Sequence, residues 1–314
     1  MIIDSMIKII AIQPEVMSCP EGIREYLKDF GTGRGRWIPL VPTNWKSCVS
    51  QAIKRRTDLP PIERNMLRDK IVNPRNADKF IKVEEIAEIS GDWNDVVNDF
   101  LTRGAFDGAI VSSPVDLKPE FLVAHKFDPE LAPYSVTTSR FVARKPDDLV
   151  APIVPILRFA KELHVIDIYC KSYGSSTKSY AAFFERLLVW CRNHNPNLKS
   201  ITLHRRYEGL PDMTSERTNY ESWILPILKE GESFRVHYLK KRYDGDGVHC
   251  RAVFTDCALV TGHYGYGGVD SEHETTDVVL REHQDLLKMR SDYLDEQKRA
   301  FDLPITLEIH FRKS

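Results

Sequence analysis

Six cysteines occur among the 314 residues, and no two of them stand as a CxxC pair. That spacing excludes zinc-ribbon and thioredoxin-like motifs and leaves the thiols as ordinary core side chains. No stretch approaches the roughly 20 consecutive apolar residues of a membrane-crossing helix. The opening MIIDSMIKIIAI lacks the basic region and cleavage site of a secretory signal and reads instead as a buried first strand. Charge of one sign is missing too: 44 Lys and Arg against 45 Asp and Glu leave a formal net charge of −1. No global field then draws the chain onto nucleic acid or an anionic membrane, so any polyanion site has to be local. Internal repeats, low-complexity tracts and heptad seams are absent as well. These absences point to a cytoplasmic protein with no membrane span, and no motif calls for a cofactor or a metal.

What the chain does contain is 42% hydrophobic, 10% aromatic and 28% charged residues, the composition of a folded domain. Its length exceeds the roughly 250 to 300 residues at which single cores stop growing, so two modules are expected. A strand over Ile7 to Ile12 and a helix in EGIREYLKDFG open the first. Ile23, Tyr26, Leu27 and Phe30 share one face of that helix. GTGRGRWIPLVPTNW follows, with glycines and with Arg34 and Arg36 as candidate phosphate donors, although its spacing fits neither a P-loop nor a dinucleotide fingerprint. Three helices are expected between residues 50 and 104, one of them over KVEEIAEI. A strand in FDGAIVSS and a short strand in FLVAH come next. The proline-punctuated passage from Pro114 to Pro133 places the module boundary near residue 135, giving 1–135 as a smaller α/β module suited to partner contacts and 136–314 as the second domain.

From SRFVAR onward strands and helices alternate. A helix over VAPIVPILRFAKEL leads to the strand HVIDIYC, the long helix SYAAFFERLLVWCRNH, the strand SITLHRRY and the helix TNYESWILPILKE. The strands SFRVHYLKK, CRAVFTD and ALVTG then precede a polar linker, a helix near LREHQDLLKMRSDYL and the closing strand PITLEIHF. Such alternation predicts a mixed sheet with helices on both faces. The 249 to 256 strand is expected near its centre.

One passage carries chemistry. In VHCRAVFTDCALVTG, His249 and Arg251 stand two apart on a strand, so both side chains leave the same face and one phosphate can meet both; Asp256 follows five residues later. The spacing resembles the HxKx4D motif of the phospholipase D superfamily, with arginine in the lysine position. The resemblance extends, more faintly, over residues 140 to 270, toward compact divergent domains such as the one at the C-terminus of MIT-domain proteins and related prokaryotic proteins. It implies His249 as nucleophile, Arg251 as the clamp on a phosphoryl oxygen and Asp256 as a supporting carboxylate. Arginine is bulkier and less adaptable than lysine at a tight site. The Gly-Ser-x-Asn turn of the family is replaced by Gly262-His263-Tyr264-Gly265, and there is no second HxK, so catalysis requires a homodimer that pairs two motifs.

Around this motif, His204 and Arg206 at a strand end, Lys240 in the run Lys240-Lys241-Arg242, and the turn residues His263 and Tyr264 are candidate phosphate or base contacts. Asp167 and Tyr169 stand at another strand end. Asp270, Glu272, His273 and Glu274 fit no metal-ligand spacing. The motif points to phosphodiester recognition, with nucleic acid or a nucleotide as ligand, and the resemblance implies an accessory protein of a prokaryotic multi-protein system. A homodimeric phosphodiesterase or nuclease built on His249 and a structural protein-interaction module are the competing readings.

Overall fold

The computed structural model describes residues 5–83, 92–114, 120–130, 134–174, 176–206, 212–241, 251–267, 274–297 and 301–311. His249, Arg242, Asp270, Glu272, His273 and nearly all of KVEEIAEI lie outside them. The chain divides into two compact α/β units, Met1–Thr138 and Ser139–Ser314, three residues beyond the boundary expected from the prolines.

In the first unit the strands are β1 (Lys8–Ile12), β2 (Arg36–Leu40), β3 (Phe80–Lys82), β4 (Gly108–Val111) and β5 (Phe121–Val123). They pair in parallel in the order β3-β2-β1-β4-β5. The helices α1 (Pro20–Asp29), α2 (Trp45–Arg55), α3 (Pro61–Val72) and α4 (Trp93–Thr102) supply the crossovers that parallel strands require. β1 is central and buried, as its apolar run demands. Its Ile10 and Ile12 pack with Ile23, Tyr26 and Phe30 of the α1 segment and with Trp45, Val49 and Ile53 of α2. Trp45 satisfies its indole by donating to the Ile12 carbonyl, 2.7 Å away. β3 falls inside a span expected to be helical: three residues suffice to add an edge strand once β2 offers its backbone.

The second unit is built on eight strands: β6 (Ser139–Ala143), β7 (Leu163–Ile166), β8 (Ser200–Arg206), β9 (Ser233–Lys241), β10 (Ala252–Thr255), β11 (Leu259–Gly262), β12 (Thr275–Leu280) and β13 (Phe301–His310). Their order is β13-β9-β8-β7-β10-β11-β12-β6. β7, β8 and β9 run parallel, and the remaining pairs are antiparallel, so the sheet is mixed and β10 sits well inside it. The expected single helix before β7 is instead two short ones, α5 (Pro146–Val150) and α6 (Val154–Leu157), because Pro152 lacks an N–H and Pro155 fits only the first turn of a helix. The segment Thr275–Leu280, taken for linker, alternates exposed and buried residues and forms β12.

Helices cover both faces. On one, α7 (Thr177–His194) buries Tyr180, Phe183, Phe184, Leu187, Leu188 and Cys191, a stripe at helical spacing. Its two Phe and two Leu side chains contribute about 6 to 12 kcal/mol of transfer free energy before the entropy of ordering is deducted. Phe184 meets Phe234 of β9 edge-on at 5.0 Å, and α8 (Met213–Ile224) adds Tyr220 and Ile224 beside them. On the other face α9 (His283–Leu294) packs Leu286 and Tyr293 onto Ile166, Ala252, Phe254 and Leu259.

Candidate functional site

The run β7-α7-β8-α8-β9 brings the carboxyl ends of three parallel strands to one edge of the sheet, and antiparallel β10 brings its amino end to the same edge. The chain leaves β7 toward β8, while its other neighbour, β10, arrives from elsewhere in the sequence. A crevice at such a switch point is where open α/β sheets gather ligands. Ala252 pairs with Ile166, which sets Arg251 beside Asp167 just beyond the paired residues.

Arg251 is half-buried there, with its guanidinium carbon 4.4 Å from the centre of the Tyr169 ring. One terminal nitrogen donates to the His263 carbonyl, and Nε has no hydrogen-bond partner among the described residues. Arg144 stands next to this arrangement. It donates to Glu274 at 2.5 Å and to the Gly267 carbonyl at 3.1 Å, and lies 5.6 Å from the Tyr264 ring.

The turn 263–267 that carries His263 and Tyr264 is fixed by Asp167. This fully buried carboxylate accepts from the backbone N–H of Tyr266 at 2.8 Å, from the Tyr180 hydroxyl at 2.9 Å and from the N–H of Tyr169 at 3.0 Å. Burial pushes its pKa above the ordinary carboxylate value, against the pull of these donors and of the Arg251 charge. Gly265 is required by close approach: a Cβ there would come within 2.7 Å of Asp167 Oδ2. Phe183 stacks on Tyr266 at 5.1 Å and closes the floor of the turn.

Of the residues singled out in the sequence, the structure brings together Arg251, His263, Tyr264 and Tyr169, and adds Arg144, which sequence reasoning missed. His263 and Tyr264 are both exposed. Lys240 is exposed at the carboxyl end of β9, in phase with Phe234 and Tyr238 and hence on the Arg251 face. Its strand is three positions from β10, roughly 14 Å across the sheet.

Four expectations are corrected. Asp256 ends β10 at the opposite edge of the sheet, roughly 17 Å of extended chain from Arg251, and accepts from the Lys161 N–H at 2.9 Å. It therefore anchors the start of β7 and touches no ligand at the Arg251 edge. His204 is fully buried under α9. Its Nε2 bonds His164 Nδ1 at 3.0 Å, and its ring meets His237 and Tyr293 edge-on at 5.0 and 5.4 Å. Arg206 is exposed but in phase with His204, which turns it to the α9 face, away from Arg251. Arg36 is buried in the first unit, donating from Nε to the Tyr134 carbonyl at 2.9 Å and from its terminal nitrogens to the Asp29 and Pro129 carbonyls at 3.4 and 2.5 Å.

With its guanidinium so engaged, Arg36 is a loop tie, and the glycine segment is a tight turn in which Gly35 takes φ 65°. Arg34 is exposed beside it, at the amino end of β2 and not at a carboxyl edge. The remaining strand-end arginine, Arg205, is buried as well, bonded to Glu216 at 3.3 Å and to the Tyr220 hydroxyl at 3.1 Å. Among the described residues no group of His, Cys, Asp and Glu is placed to hold a metal, and no helix is long and apolar enough to cross a membrane.

No family model matches this chain, and no curated protein matches it significantly. Among solved structures it is similar to TrmBL2, an archaeal chromatin protein whose structure shows a novel mode of DNA binding. The identity is 13% and the TM-score 0.26, over 51% of this chain and 52% of that one. The likeness thus spans about half the length of each chain, and it is too slight to support an argument about fold or activity.

Proposed function

We propose that the Ser139–Ser314 unit is a divergent phospholipase-D-like module that recognises a phosphodiester through Arg251 and turns it over poorly if at all. The observation that supports this above all is the state of the Arg251 guanidinium at the switch-point edge. Its carbon lies over the Tyr169 ring, one nitrogen is engaged by a backbone carbonyl, and Nε is without a partner among the described residues. A planar fork held in this way suits two oxygens of a phosphate. Lys240 on the same face extends the positive surface.

An accessory role in a multi-protein system fits the first unit, whose α3 leaves Ile62, Met66 and Val72 exposed for a protein partner. The test of the phosphodiester reading is fluorescence anisotropy with labelled oligonucleotide and with inorganic pyrophosphate as competitor, across a salt series. Each phosphate neutralised adds close to one unit to the salt slope, so Arg251→Ala should flatten it by about one. Binding that ignores both salt and this substitution would refute the reading.

A further inference from the structure

We infer that the ligand of this edge is a single-stranded nucleic acid whose unpaired bases stack on tyrosines beside Arg251. The inference rests on the phosphodiester reading and names its substrate class. Tyr169, Tyr173 and Tyr264 are 52%, 61% and 48% exposed, and all three belong to segments at the carboxyl edge of β7. The first two lie on the connection from β7 to α7, and Tyr264 lies on the turn after β11. The same unit buries Tyr180, Tyr220, Tyr238 and Tyr266, so it has ways to bury tyrosine and does not use them here.

The geometry around the exposed rings is that of a stacking platform. Arg251 covers one face of Tyr169 at 4.4 Å, Arg144 stands over Tyr264 at 5.6 Å, and His263 meets the Tyr264 ring at right angles with centroids 4.8 Å apart. A cation behind a ring leaves the opposite face for a base and places positive charge where the neighbouring phosphate runs. Hydrogen bonds from Tyr266 N and the Tyr180 hydroxyl to Asp167 hold the Tyr264 turn before any ligand arrives, so little ordering entropy is lost on binding. A duplex offers no free base face to such rings. It is instead held by a broad phosphate-tracking surface, which a chain of net charge −1 does not favour.

The experiment compares the full chain binding four labelled ligands: a thymine oligonucleotide, its RNA counterpart, an abasic strand of the same length and the matching duplex. Either single strand should bind better than both the duplex and the abasic strand. Tyr264→Ala should weaken single-strand binding about tenfold and leave abasic-strand binding unchanged, and Tyr264→Trp should restore the lost affinity. Equal affinity for the abasic strand or the duplex, or an inert Tyr264→Ala, would overturn the base-stacking inference while the phosphate contact stands. No binding of any strand, together with no competition by pyrophosphate, would overturn both.

Discussion

Acidification should weaken the Ser139–Ser314 unit through His204, and the size of the effect follows from where that ring sits. Burial is the main cause that drives its pKa well below the ordinary 6.5, and the adjoining His164 and His237 add to it. The groups facing it from each packed element are His164 on β7, His237 on β9, the ring of Phe254 on β10 and Tyr293 on α9. Glu162, which is paired with Arg290, stands 3.6 Å behind His164. Among the described residues no carboxylate is found to act on His204 and hold a proton on it.

With the folded pKa depressed, the contribution to stability is complete above the unfolded value of 6.5 and is lost as pH falls, because the unfolded chain takes up the proton first. Between that unfolded value and the lowered folded one, each pH unit costs about 1.4 kcal/mol. The measurement is urea unfolding at stepped pH. The unfolded fraction is read by a short deuterium pulse at one fixed pH and by the mass of peptides from β8 and β9, which isolates this unit from the other. His204→Phe keeps a ring against Phe254 and Tyr293; it should lower stability at neutral pH by losing the bond to His164, yet flatten the acid slope by about one proton. Asp167 works in the opposite sense: its raised folded pKa lets the native state take a proton early as pH approaches 3.8. That term is common to both proteins and cancels in their difference. Parallel pH dependences for wild type and His204→Phe would refute the reasoning.

Asp167→Asn sets an amide NH2 against at least one of three donors, so it should cost about 1 to 3 kcal/mol and raise deuterium exchange in the 263–267 turn. Gly265→Ala should loosen the same turn with Asp167 intact, because the added carbon overlaps Oδ2; unchanged exchange in either variant would contradict the anchoring role. Arg36→Ala should destabilise the Met1–Thr138 unit by about 3 kcal/mol, seen as a lower urea midpoint for its peptides, without altering oligonucleotide affinity. In simple diester and nuclease assays the wild type should be nearly inactive and Arg251→Lys should gain turnover, since lysine follows an oxygen as charge develops on it. Vigorous wild-type cleavage abolished by His249→Ala would overturn the preference for binding over chemistry.

Periodicity by itself determined a good deal of this protein. The apolar run at Ile7 to Ile12 forms β1, the stripe from Tyr180 to Cys191 forms the buried face of α7, and the alternation after residue 139 forms a mixed sheet covered on both sides. Alternation also separates Arg251 from the α9 face that Ala252 and Phe254 occupy, and its place just before β10 at the sheet edge leaves it half-buried. These are local signals, set by residues within a turn or two of one another.

The tertiary structure decided what local signals cannot carry. Whether a polar side chain at a strand end meets solvent or core depends on which helix lies over it, so His204 and Arg205 are buried while Arg206 and Lys240 are exposed on opposite faces. Arg36 is committed to the Tyr134 carbonyl 98 positions away, and Asp167 to the Tyr266 N–H 99 positions away. Nothing in the spacing of GTGRGRW or HVIDIYC records those partners. A buried donor or acceptor takes whatever complement the fold brings to it, and chain topology alone sets which one that is.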